Sequence, residues 1–481
     1  MARDPQGALI ALHRFGLGAR GGAAGDLASA ASDPRGFVRA ELSRPNVALL
    51  EAPGLLTTPE LTQLAFGYQD TVRQQRESAA KSAQAMSLPM EGTPTPQVPD
   101  NPPPRAEQPQ PLNIIQKTYR TEALMRFQRA IVADCGFVER LVAFWSNHFC
   151  ISANKGELAR IWAGAYEREA IRPHVLGRFA DMLKAVEQHP AMLFFLDNQQ
   201  SLGPQSRAGQ NRKRGLNENL AREIMELHTL GVNGGYTQGD VTALARIITG
   251  WTFSGRRARL APPGNFIFFA NAHEPGAHKL LGKIYDDTGV AQGEAALTDL
   301  ARHSSTAQFI AWKFARHFVA DDPPSALVSR LAEVFRKTDG DLLALSLALL
   351  ESGEAWTPMT KIRMPYEYLV ASGRLLGGRI DDPQRYLGGF AVLGQPLWSP
   401  AGPNGFPDTN AAWAAPEGLK LRLDIAAQIS SRIPDAADPR ILLDVILGEA
   451  ASRDTRQAIE LAESRQQALA LLLMSPEFQR R

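Results

Sequence analysis

The chain has 481 residues, 44% hydrophobic and 21% charged, enough apolar material for one large domain or up to about three ordinary ones. Its formal net charge of +2 carries no nucleic-acid or membrane-surface signature for the chain as a whole. The apolar runs Leu342–Leu350 and Ala468–Met474 are too short to span a bilayer.

The opening MARDPQGALIALHRFGLGARGG lacks the long apolar region of a secretory signal. That sets a cytoplasmic expectation, with periplasmic location or export beside a partner as the alternative. Gly16–Gly22 is glycine-rich, but no convincing strand precedes it, so it does not read as a phosphate loop. Thr58-Pro59 opens a helix carrying Leu61, Leu64, Tyr68 and Val72 at spacings of three and four. Residues 78–111 read as a Pro-rich disordered linker or insertion, because proline at the density of Pro89–Pro111 removes backbone donors.

After it, 113–149 is a long helical pattern with Gly136 as its break. Helical periods continue at 157–169, 174–187, 325–335, 342–350, 366–376, 419–433 and 454–474. Alternating patterns are scarce; 264–270 followed by 279–285 suggests a hairpin or small antiparallel sheet. The expected fold is mainly α, a multi-helix array with a small antiparallel β element near 252–290. Residues 1–77 form its N-terminal helical part and 112–481 its main domain, or the two together form one domain. Cys135 and Cys150 fit neither a disulfide framework nor a zinc site and read as free buried thiols. The short basic cluster Arg212–Arg214 reads as a solvated loop.

The densest polar segment is GLNENLAREIMELHTLGVNGGYTQGDVTALARIITGW, residues 215–251. It reads as two helices around a glycine turn. On a helical wheel Glu218, Arg222, Met225, Glu226 and Thr229 share one face, and Leu220, Ile224 and Leu227 lie opposite with His228 at their edge. Glu218, Arg222 and Glu226 form an i, i+4, i+8 ladder, either an exposed ion-pair row or a carboxylate pair for acid–base work or metal binding. Glu226 and His228 sit about 200° apart and cannot share one ion on an intact helix. Thr237 and Asp240 fit a capping box, which gives Asp240 a structural role. His148, ending a helix after Trp145 and Asn147 and followed by Lys155, is a second base or ligand candidate, as is His273 in the loop HEPGAHK.

These pieces carry a resemblance. ALHRFGLGAR, RLVAFWSNHFCIS, HPAMLFFLDNQQS, the 217–251 core, HEPGAHKLLGK, KIRMPYEYLVASGR, LGQPLWSPAGPNGFPD and SPEFQRR resemble the bacterial "domain of unknown function 1800" family almost end to end. That family typically has His-Asp where this chain has His273-Glu274, and Gly-Trp where it has Gly405-Phe406. The resemblance implies frequent export and a neighbouring gene of a second family, "domain of unknown function 1501", similar to secreted sulfatases and phosphatases.

Two functions are expected from these readings. One is a hydrolase acting on a polar or anionic substrate. Glu226, Glu218, His228 and His148 would be its catalytic groups. Arg222, Arg246, Asn217, Asn219, Trp251, Asn147, Trp145 and Lys155 would bind substrate; the cofactor is left open, and for a divalent metal His148 and His273 are the candidate ligands. The other is a non-catalytic binding or chaperone-like partner of the neighbouring protein.

Overall fold

Asn113 starts the helices that build the centre of the molecule. Its side chain accepts from the Gln116 N–H, and the Gln116 side chain returns to the Asn113 N–H, closing a capping box ahead of helix Ile114–Val132. Gly136 takes φ 90° at the N-cap of helix Phe137–His148. A Cβ at Gly136 would meet Leu17 at 3.3 Å, so glycine permits both the left-handed turn and the close approach. The break expected in the 113–149 run falls at this residue.

The structure, a computed structural model, describes residues 4–21, 26–86, 112–211, 215–257, 260–377, 382–432 and 438–481. Arg212–Arg214 and the Pro89–Pro111 stretch lie outside them. The protein is mainly α, 64% helical, with two small two-stranded antiparallel sheets among the described residues. The sheets fall where a β element was expected, but with other partners. Strand Phe266–Phe268 pairs back onto Trp251–Phe253, with Trp251 opposite Phe268. His278–Leu280 pairs with Lys283–Tyr285. The Ala270–Ala272 turn and the HEPG loop separate the two runs, so they do not pair with each other.

Helix Thr58–Met86 extends through residues 78–86, which had read as irregular. Their sequence SAAKSAQAM is rich in good helix formers and holds no proline. The 174–187 period begins helix only at Phe179. The 454–474 period divides into Arg453–Glu460 and Arg465–Met474, because Ser464 caps a second start. No apolar helix among the described residues is long enough to cross a membrane.

One cluster of buried hydrophobic side chains runs from Ala8 to Phe478. Arginines penetrate it: Arg14, Arg140, Arg172, Arg363, Arg374, Arg422 and Arg481 are at most 1% exposed. Several serve as glue for backbone. Arg374 donates to the carbonyls of Gly18, Ala130, Ile131, Ala133 and Asp134, satisfying the frayed end of helix Ile114–Val132 and the turn after it. A guanidinium offers five donors in one plane, which suits it to collecting loop carbonyls in a core.

Candidate functional site

The sequence candidates do not gather in one place. Glu218 sits at the N-cap of the short helix Asn219–Glu223. Its Oε2 accepts from Arg222 at 3.1 Å and Gln238 at 2.8 Å, and its Oε1 from Thr242 at 2.7 Å. Glu218 and Arg222 thus tie two helices together at the surface. Asn219 is exposed, and Glu226 makes no hydrogen bond among the described residues. Arg246 is exposed and acts electrostatically on His278 rather than on the ladder. Asn217 holds its own loop through Ser201, Asp197 and Asn219. Lys155 pairs with Asp197 at 2.6 Å. Trp145 and Trp251 are core residues.

The wheel also needs one correction. Residues Ile224–His228 form a π-helical turn, which winds more residues per turn than an α-helix and shifts every later position. Met225 and Thr229, placed on the polar face, are therefore fully buried.

His148 and His228 do converge. Their ring centroids lie 6.2 Å apart. His228 Nδ1 donates to Glu187 at 2.8 Å, and His148 Nε2 donates to the His228 carbonyl at 3.1 Å. Lys313 Nζ lies 2.9 Å from His148 Nδ1; an ammonium can only donate, so this ring nitrogen is the acceptor. Burial and then Lys313 push the His148 pKa well below its usual value. Burial also brings the Lys313 ammonium down to about 8, although part of its side chain reaches the surface. This group is packed among Phe144, Trp145 and Phe149 and lines none of the pockets described below. His273 belongs elsewhere, hydrogen-bonded to the Thr249 carbonyl at 2.9 Å and 3.5 Å from Asp287. Among the described residues no group of three or more His, Cys, Asp or Glu is arranged to hold a metal ion.

A pocket that combines apolar walls with several charged side chains lies beside this cluster. A cavity of about 70 Å³ opens between helices Ile114–Val132, Phe137–His148, Glu157–Tyr166, Ser304–Phe318 and Pro365–Leu375. Arg126, Asn147, Glu167, His317, Tyr366 and Glu367 are on its wall. The segment Gln395–Trp398 and Phe406 cover it. Of the sequence candidates, Asn147 is the one in this lining. Its amide donates to the Phe406 carbonyl at 2.9 Å and accepts from the Phe406 N–H at 2.8 Å. Gly405 has φ 74°, and a Cβ there would strike the Asn147 carbonyl at 2.5 Å; the tight fit aims Phe406 inward.

Glu167 begins a π turn, Glu167–Ile171. It is held by Arg126 at 2.9 Å and Arg172 at 3.2 Å, and accepts from Ser146 at 3.0 Å and Trp398 at 3.1 Å. Burial favours its neutral form, but the two arginines outweigh burial and keep the pKa below normal. Glu367 is held in the same way by Arg140, and by Arg481 at 2.8 Å. Both carboxylates are committed to ion pairs.

His317 is different. Its Nδ1 donates to Asp408 Oδ2 at 2.6 Å. Its Nε2 is buried without a hydrogen bond, 4.0 Å from Glu367 Oε1. Asp408 also meets Arg481 at 3.0 Å and Lys361 at 3.1 Å. Burial opposes its charge, but His317, Arg481 and Lys361 hold the carboxyl well below its usual range. Burial lowers His317 to about 4 despite Asp408, so the ring is neutral at pH 7 with its lone pair on Nε2. Burial raises the Tyr366 hydroxyl to about 12.

Sequence reasoning missed His317 because it assigned no helix to Ser304–Phe318. Ile310, Phe314 and Phe318 recur at i, i+4 and i+8 and could have revealed it. Tyr366, Glu367 and Asp408 lay inside segments that carried the family resemblance, without being singled out.

The model of the family described as "Protein of unknown function (DUF1800)" matches residues 10–480. The chain belongs to that family. No curated protein and no solved structure matches it.

Proposed function

We propose that the protein is a hydrolase-type enzyme whose general base is His317, acting in the pocket under Phe406 on a polar or anionic substrate. The observation that carries this reading is the His317 ring: one nitrogen is fixed by Asp408 at 2.6 Å, the other is buried and unpartnered, and the residue lines the cavity. Such a nitrogen is either stranded at a cost or kept for a proton. In the proposed step His317 Nε2 takes a proton from water, whose oxygen attacks the substrate. The same proton then passes to the leaving group. Asp408 orients the ring and steadies its charged form, and the Tyr366 hydroxyl donates to a substrate oxygen. The small cavity fits the reacting group rather than a whole substrate of ordinary size.

The test is turnover of nitrophenyl carboxylate, phosphate and sulfate esters by the full chain and by His317→Asn. The asparagine amide retains a donor toward Asp408 and removes Nε2. One ester class is expected to turn over, with a loss of about 10²–10⁴-fold in the variant and little change in melting temperature. Equal activity in His317→Asn, or no turnover of any class by the native chain, overturns the reading. The base acts when unprotonated, so kcat/KM should stay level from pH 7 to about 5 and halve near 4. An inflection at 6.5 would mean that another group is the base.

A further inference from the structure

A second depression adjoins the pocket, separated from it by the chain at Pro396–Leu397, which lines both. Its volume is about 330 Å³, so it can take a substantial part of a ligand where the inner cavity cannot. The dividing chain is pinned on both sides. Tyr119 donates to the Leu397 carbonyl at 2.6 Å, Ala153 N–H donates to the Trp398 carbonyl at 2.7 Å, and Trp398 reaches Glu167. The outer groove is therefore a fixed shape rather than a gap under a loose loop.

Its lining is cationic and otherwise neutral. Arg120 and Arg160 face it together with Tyr119, Asn154, Gln384 and Ser399, and no described lining residue is acidic. Arg120 makes no hydrogen bond or ion pair among the described residues. Arg160 is held only by neutral oxygens, the Ala153 carbonyl at 3.4 Å and Asn154 Oδ1 at 3.1 Å, while its guanidinium lies 5.8 Å from the Tyr119 ring centre. Both side chains are half-buried. Elsewhere Arg126 and Arg172 are matched by Glu167, Arg168 by Glu122 and Arg20 by Asp26, while Arg374 spends its donors on five carbonyls. Two half-buried guanidiniums on one groove without a carboxylate leave donors and positive charge available to a ligand.

We propose that this groove is the subsite for an oxyanion group of the substrate, a phosphate, sulfate or carboxylate, bound by Arg120 and Arg160 while the bond to be broken enters the inner pocket. The assignment rests on reading the inner pocket as the reaction centre, but the binding itself can be measured apart from any turnover. The arginine Nε–Hε signals of the full chain would be titrated with inorganic phosphate, sulfate and acetate at constant ionic strength, with chloride as the control. Saturable shifts of Arg120 and Arg160 are expected with at least one oxyanion, and the tightest binder names the group. Arg120→Ala and Arg160→Ala should each weaken binding about tenfold, the loss of one charge-assisted contact, and the double variant should abolish it. Unchanged folding of these surface variants would be checked by melting temperature.

His317→Asn should bind the oxyanion like the native chain. If it does and yet all variants fail to alter turnover, the hydrolase reading falls and the subsite stands. Shifts equal to those with chloride, or oxyanion binding that survives in the double variant, overturn the subsite itself.

Discussion

Glu167 and Glu218 carry the same side chain, and both pair with arginine, yet they do different physical work. Glu218 keeps 29% of its side-chain surface exposed and Arg222 40%, and the remaining contacts are to Gln238 and Thr242. Water competes for every one of these bonds, so the pair contributes little. Glu167 keeps 2% and touches two buried guanidiniums, a hydroxyl and an indole. Removing Glu167 leaves the Arg126 charge with no carboxylate and little water to receive it. The lesson is that a charge ladder in sequence marks a surface as readily as a site. Burial separates the two, and helix spacing alone does not report burial.

The comparison can be broken by stability measurements. Glu167→Ala should cost about 3–5 kcal/mol in chemical denaturation, because it strands Arg126 in the core and leaves Arg172 with Glu139 as its one carboxylate; a loss below about 1 kcal/mol would place Glu167 in the same class as Glu218. Acid should act next. His13, His148 and His317 all have folded pKa values below the ordinary 6.5, so below pH 6.5 the unfolded chain binds more protons than the folded one. Stability should therefore fall as pH drops from 6.5 toward 4, and melting curves at pH 7 and 5 would show it. A melting temperature that rises on acidification would contradict neutral buried rings.

Asn147→Ala should cost about 1–3 kcal/mol, since it leaves the Phe406 backbone groups unpaired. It should also speed amide exchange through residues 402–408; unchanged exchange would mean that the cover is held by other contacts. The smallest effect is expected at the surface. Glu218→Ala with Arg222→Ala should change stability by less than about 1 kcal/mol. A larger loss would make the surface ladder a structural element comparable to the pocket.

Much of the helical framework was legible. Gly136 as a break, the Thr237–Asp240 capping box, and most apolar periods appear in the structure as read, because caps and helical stripes are local patterns. The β partners and the 224–228 winding were not legible. A short strand's partner and a π turn both depend on what packs against them. For the site, Asn147 was named and lines the pocket. His148 and His228 were named and meet, but in a closed part of the core.

The sequence alone determined that this chain is helical, that its 113–149 run breaks at Gly136, and that its segments follow the pattern of one family from end to end. Those properties rest on spacing, caps and motif, which act within a few residues of each other. The tertiary structure alone decided that His317 and Asp408, 91 positions apart, form a pair. It also decided that Glu167 is enclosed by arginines from different helices while Glu218 stays at the surface. Burial and charge pairing arise from contacts between distant segments, and no local pattern carries them.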